Sequence, residues 1–212
     1  MATKLLVIRH GQSLGNLEKR FLGHTDWDLS PLGYAQAEKL CEYLKDEKID
    51  KVYSSDLIRA YHTVLGIAKQ RGLDVIKDSR LREIYAGRWE GQLYDSLYVD
   101  FKEDYTVWKT DVGNSRCTGG ESVLELQKRV VSAVEEIAKN NPGKTVCIGT
   151  HATPIRVLCS YIDNNRSAGD IQNVQWVRNA SVTTVLYENG KMRIEKKGDD
   201  VFLGNSKTIV DF

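Results

Sequence analysis

Leu5-Leu6-Val7-Ile8 is an unbroken apolar run that stops at Arg9-His10-Gly11. A strand with apolar residues at successive positions has no polar face to turn to water and must be covered on both sides. That demand fits a parallel sheet held between two layers of helices. At its carboxyl end, where open α/β sheets place ligands, the run delivers a fixed cation, a titratable imidazole and a glycine. Such a place can bind an anion and attack it.

The pattern that follows agrees with this layout. Ser30 reads as an N-cap with Pro31 at the first helical position, and Leu32, Ala37, Leu40, Cys41 and Leu44 recur at helical spacing. Lys51 to Ser55 is strand-like. Asp56 is placed to cap a helix through Leu57, Ala60, Val64, Leu65, Ile67 and Ala68 that Gly72 ends. Asp74 to Lys77 is another short strand. The order β-α-β-α predicts a parallel sheet with helices on both faces.

From Ile84 to Gly120 the periodicity weakens, and Trp89, Tyr94, Tyr98, Phe101, Tyr105 and Trp108 lie scattered among charges. This stretch is expected to form irregular helices as a small cap over the site. A clear helix then runs from Ser122 to about Asn140, with Val123, Leu126, Val130, Val134 and Ile137 on one stripe, stopped by Pro142-Gly143. Thr145 to Gly149 is a second doubly buried strand, and it too ends at a histidine, His151. Pro154 to Ile162 reads as a short helix. Val182 to Tyr187 and Met192 to Lys196, joined through Asn189-Gly190, predict a hairpin with a type I′ turn at an antiparallel sheet edge. Lys191, Lys196 and Lys197 suit a solvated edge. Asp199 to Phe212 shows no clear pattern. The predicted fold is a three-layer α/β/α domain over residues 1–212, with a mostly parallel central sheet, an antiparallel edge hairpin and a helical cap over about 84–120.

With 212 residues and 41% hydrophobic content, the chain can bury a core without metals or disulfides. Its net charge of +1 provides no basic field for nucleic acid or a membrane surface, which points to a small ligand. Cys41, Cys117, Cys147 and Cys159 lack C-x-x-C spacing and read as reduced, structural thiols. No secretory leader and no apolar run near the ~20 residues of a membrane span is visible, so a cytoplasmic location is expected. The Asn-x-Ser matches at Asn165 and Asn179 then count as chance patterns. Oligomeric state is open, a homodimer included.

Four more stretches carry chemistry that matches Arg9-His10: Ser54 to Ala60, Leu81 to Gly91, Gly119 to Ser122 and Gly149 to Arg156. A phosphomonoester brings nearly two negative charges, a poor leaving group and a phosphorus that needs in-line attack. A neutral His10 can supply the attack and divide one hard step into two. Arg9, Arg59 and His151 can meet charge on the equatorial oxygens, and arginine's planar fork suits phosphate. As a surface helix residue Arg59 would pair with Asp56 instead. Glu83 is the candidate to give a proton to the leaving oxygen and later take one from water, with Glu90 a nearby competitor. His24 and His62 read as loop or surface histidines, His24 within reach of the pocket mouth. No metal-ligand spacing and no glycine-rich nucleotide loop is present, so neither metal nor cofactor is expected. Glu121 sits at the positive end of the Ser122 helix, where a structural capping role is as natural as a site role.

RHGQSLGN, FLGHTDWDLSPLG, SSDLIRA with Thr63, LREIYAGRWEG, GGES and GTHA occur in an order that resembles the histidine phosphatase superfamily, the phosphoglycerate mutase-like group, over nearly the whole chain. The resemblance implies His10 as the phosphorylated nucleophile, Glu83 as proton donor and acceptor, and Arg9, Arg59 and His151 as the phosphate pocket. It also places Asn16 and the Leu22-Gly23 backbone at the phosphate. Ala152 departs from the family's usual glycine. Mutases of the group carry a longer, basic insertion after the glutamate, whereas here Arg88, Lys102, Lys109 and Arg116 are outnumbered by acids. The expectation is a metal-independent phosphatase of a small phosphorylated metabolite, with a mutase or a silent phosphate-ester binding module as alternatives.

Overall fold

The computed structural model describes residues 1–163 and 171–208. Among these residues six strands form one sheet in the order β3-β2-β4-β1-β5-β6, where β1 is Thr3–Arg9, β2 Lys51–Ser54, β3 Val75–Lys77, β4 Thr145–Thr150, β5 Val182–Glu188 and β6 Lys191–Asp199. The first four are mutually parallel; β5 pairs antiparallel with β1, and β6 pairs antiparallel with β5 at the edge. Asn189 and Gly190 both take positive φ at the hairpin turn, as its type requires.

The run that opens the chain divides its side chains by the two-residue period of a strand. Leu5 and Val7 join one core cluster with Leu126, Val130, Val146 and Ile155, on the side of α6 (Val123–Lys139) and α7 (Ala152–Asp163). Leu6 and Ile8 join the other with Leu40, Val64 and Ile67, on the side of α2 (Pro31–Tyr43) and α3 (Ile58–Gln70). All four are at most 3% exposed, and burying each such side chain stabilises by about 2 kcal/mol.

Helix starts follow local chemistry, from the one-turn α1 (Leu14–Leu17) with Ser13 as its N-cap onward. Ser30 accepts the Gly33 N–H ahead of Pro31, and Ser122 and Glu125 form a capping box at the head of α6. α3 differs from the expectation: its N-cap is Leu57, and Asp26 from a distant loop accepts the Ile58 N–H at 2.7 Å. Asp56 is engaged by Arg82 at 2.5 Å, a charged fork that a backbone N–H cannot match.

Between β3 and α6 lie the short helices α4 (Tyr94–Asp100) and α5 (Lys102–Thr110). Several rings of these helices and of the turn before them point inward. Trp89, Tyr105 and Trp108 pack edge to face with one another or with Phe21 inside the larger core cluster. The tail expected to be patternless forms a 3₁₀ segment, Val201–Ser206, tied to α2 through Lys39 and Gln36. Asn165 and residues 209–212 lie outside the described residues.

Candidate active site

Strands β1 and β4 run side by side in register, Arg9 opposite Thr150, so both histidines emerge together. The His10 N–H donates to the Thr150 carbonyl at 2.9 Å, and the two imidazole centroids stand 5.2 Å apart. Arg9, His10, Asn16, Leu22, Gly23, Arg59, Glu83 and Ala152 line one small cavity, joined by Arg20, Phe21, Tyr94, Trp108 and Thr153. His151 is fully buried beside His10.

His10 Nδ1 lies 2.6 Å from the Gly11 carbonyl. A carbonyl only accepts, so Nδ1 carries the hydrogen and Nε2 keeps its lone pair. Burial, then the Arg59 and Arg9 charges, hold this imidazole well below its ordinary pKa, which leaves it neutral. Burial likewise lowers His151, whose Nε2 is 2.9 Å from Ser55 Oγ.

The arginines are pinned by backbone. Arg9 donates from Nη1 to the Val177 carbonyl at 2.6 Å. Arg59 donates from Nη1 to Thr25 and from Nη2 to Gly23, at 2.8 and 2.7 Å, and leaves the Asp56 partnership to Arg82. Both are 1% exposed. Burial brings both guanidiniums down to about 10, so they remain charged at neutral pH. Among the described residues, Arg9 Nε, Arg59 Nε and His151 Nδ1 are buried with no hydrogen-bond partner. Orphaned buried polar atoms are costly, and two of these three belong to cations that share the cavity with the neutral His10 imidazole. An anion with several acceptor oxygens satisfies such a set.

Glu83 reaches the cavity, its Oε1 accepting the Ile84 N–H at 2.8 Å and its Oε2 the Thr153 N–H at 3.3 Å. Glu90 is used otherwise: Oε1 accepts from the His24 and Ala86 N–H groups, which latches two loops together. His24 is also more than a loop residue, with Nε2 2.9 Å from the Glu83 carbonyl. Thr63 accepts the Gly11 N–H and donates to the Arg59 carbonyl, linking the loop after His10 to the Arg59 helix.

Sequence reasoning missed Thr153 and Asn179. Asn179 is fully buried and donates to the His10 carbonyl and to Asn16 Oδ1, at 3.1 and 3.2 Å. Its reading as a chance Asn-x-Ser match overlooked this function, and no spacing signal marks it. Among the cap's basic residues, Arg88 lies over the Phe101 ring and Arg116 pairs with Glu125; the further cation at the cavity is Arg20, anchored on Glu18 and the Gly91 carbonyl. Ala152 is 3% exposed, and its methyl takes up space at the cavity wall. Among the described residues no group of three or more His, Cys, Asp or Glu is placed to hold a metal, and no helix is long and apolar enough to cross a membrane.

The family model for the histidine phosphatase superfamily, branch 1, matches residues 5–200. The chain belongs to that superfamily. Phosphoserine phosphatase 1 of Hydrogenobacter thermophilus is 37% identical over 155 residues, covering 73% of this chain and 74% of that protein. Phosphoglycerate mutase-like protein 4 of Arabidopsis thaliana is 34% identical over 202 residues, 92% of this chain and 85% of that one. A mycobacterial glucosyl-3-phosphoglycerate phosphatase superposes with a TM-score of 0.83 at 27% identity, covering 94% of this chain and all of that one (100%). This histidine phosphatase is thus an enzyme of the phosphoglycerate mutase-like family, with the family's three-layer architecture.

Proposed function

We propose that this histidine phosphatase hydrolyses a small phosphomonoester through a phosphohistidine on His10. The reading is carried by one observation: a neutral imidazole whose Nε2 keeps its lone pair shares one cavity with two buried guanidiniums whose Nε groups have no partner. Nε2 attacks phosphorus as the ester P–O bond breaks, and Glu83 gives its proton to the leaving oxygen. Glu83 then takes a proton from water, whose oxygen attacks the phosphohistidine. The N–P bond breaks, inorganic phosphate leaves, and His10 is again neutral. Arg9, Arg59 and His151 bear the charge on the transferring group, with Asn16, Leu22, Gly23 and Ala152 bordering the phosphate.

The relatives' names, phosphoserine phosphatase and glucosyl-3-phosphoglycerate phosphatase, put phosphorylated carboxylic acids first among candidate substrates. Arg20 at the cavity supplies a cation beyond the phosphate pair. The basic cap residues Arg88 and Arg116 are committed elsewhere, which favours hydrolysis over handling of a bisphosphate.

The test is phosphate release from a panel of phosphomonoesters, 3-phosphoglycerate and phosphoserine included, in excess chelator, for wild type and His10→Ala. Release that survives chelation and disappears in His10→Ala is the expected result. Absence of release from every ester, with phosphoryl exchange appearing only with a bisphosphorylated primer, would replace hydrolysis by mutase chemistry.

A further inference from the structure

Glu83 lies on a loop whose backbone is gripped by one side chain from across the fold. Arg129 of α6 donates from Nη1 to the Arg80 and Arg82 carbonyls, at 2.8 and 2.9 Å, and from Nη2 to the carbonyl of Glu83 itself at 2.8 Å. Its other hydrogens meet Glu121 fork to fork, Nε to Oε1 and Nη2 to Oε2, both at 2.8 Å. Glu121 in turn grips the chain just past Glu83. Its Oε2 accepts the Tyr85 N–H at 3.2 Å, and its own N–H donates to the Tyr85 carbonyl at 2.8 Å. The loop is therefore pinned from 80 to 83 by one member of the pair and at 85 by the other.

We infer that Arg129 and Glu121 are positioning residues for Glu83, setting the distance over which its carboxyl passes a proton to the leaving oxygen. The inference rests on the reading of Glu83 as the proton donor. Neither residue is among those lining the cavity, so each acts through the loop. Proton transfer needs heavy atoms about 2.6–3.2 Å apart, and a displacement of about 1 Å can cost roughly 100-fold. Only a planar guanidinium can hold three carbonyls and a carboxylate at once; an ammonium has three donors and no fixed fork. The pair also explains the GGES stretch: Glu121 sits just before the Ser122 cap, but its carboxylate is committed to Arg129.

The test separates this role from simple packing by the leaving group. An alkyl phosphate needs a proton on its departing oxygen, whereas 2,4-dinitrophenyl phosphate does not. kcat/KM is read for both esters, because it reports steps up to the phosphohistidine, in wild type, Glu83→Gln, Arg129→Met, Arg129→Lys and Glu121→Gln. Glu83→Gln is expected to lose roughly 100-fold or more on the alkyl ester and less than about tenfold on the activated one. Arg129→Met is expected to lose roughly tenfold to 100-fold on the alkyl ester and stay within about threefold on the other. Arg129→Lys should recover part of that selective loss, and Glu121→Gln should show a smaller loss of the same kind. Equal losses on both esters, or none, in the Arg129 and Glu121 variants would overturn the positioning role. If Arg129→Met does not fold, Glu121→Gln decides by the same criterion. A Glu83→Gln variant without the leaving-group signature would remove Glu83 as proton donor and the inference with it, a failure visible before the other variants are compared.

Discussion

The carbonyl of Gln12 lies so close to Gly33 that a Cβ on Gly33 would come to 2.0 Å from its oxygen. Gly11 meets the Gly33 carbonyl almost as closely, so the loop after His10 and the first turn of α2 pack backbone to backbone. In an ordinary helix Gly→Ala stabilises by about 1 kcal/mol. Here the sign reverses. Gly33→Ala should destabilise by about 1–3 kcal/mol, read as a lower urea midpoint, and should reduce kcat/KM because the loop that moves carries His10.

Burial and the arginine charges depress His10, and burial depresses His151, both below the ordinary 6.5. The unfolded chain binds protons near pH 6.5 that the folded chain refuses, so the contribution of these groups is full above that value and declines as pH falls toward the lower folded values. The urea midpoint should drop from pH 7.5 to 5.5, a window above the range where the paired aspartates titrate. His10→Ala should show a shallower drop. An unchanged midpoint across the window in wild type would contradict the depressed histidines.

Arg59 spends two N–H groups on the Gly23 and Thr25 carbonyls, and its buried Nε has no partner. Lysine cannot divide its charge in that way. Arg59→Lys should lower kcat/KM by about 100-fold and weaken inhibition by orthovanadate in parallel. Kinetics with unchanged vanadate affinity would remove Arg59 from the phosphate pocket.

Asn179 joins three partners: the His10 carbonyl, Asn16 Oδ1 and Thr208 Oγ1. Asn179→Ala should cost about 1–3 kcal/mol of stability by removing these three hydrogen bonds. Asn179→Asp should cost more activity than Asn179→Ala, since it sets a carboxylate oxygen against two acceptors, the His10 carbonyl and Asn16 Oδ1. Urea denaturation and kcat/KM on the two variants check both statements.

Much of the scaffold was legible from spacing. The alternation of Leu5 to Ile8, the Ser30 and Ser122 caps and the Asn189-Gly190 turn depend on residues within a few positions of each other, and each appears as read. Arg9, His10 and His151 were legible for the same reason, as polar residues placed at the ends of buried strands. What was not legible involves partners far apart in the chain. Asp56 looked like a cap until Arg82 took it. Glu90 rivalled Glu83 until its carboxylate was found accepting from His24 and Ala86. The aromatic residues of 84–120 showed no periodicity that would sort inward from outward rings, and Trp89 and Tyr105 are fully buried.

By itself, then, the sequence determined the layered sheet, the two strand ends that carry histidines and the types of residue available there, because strand and helix periodicities and caps are short-range effects. Only the tertiary structure decided which carboxylate lines the cavity with His10, which arginine is buried without a carboxylate and which side chains hold them. Those choices follow from competition among distant hydrogen-bonding groups in a low-dielectric interior, where each donor goes to the best acceptor the packed chain brings within about 3 Å.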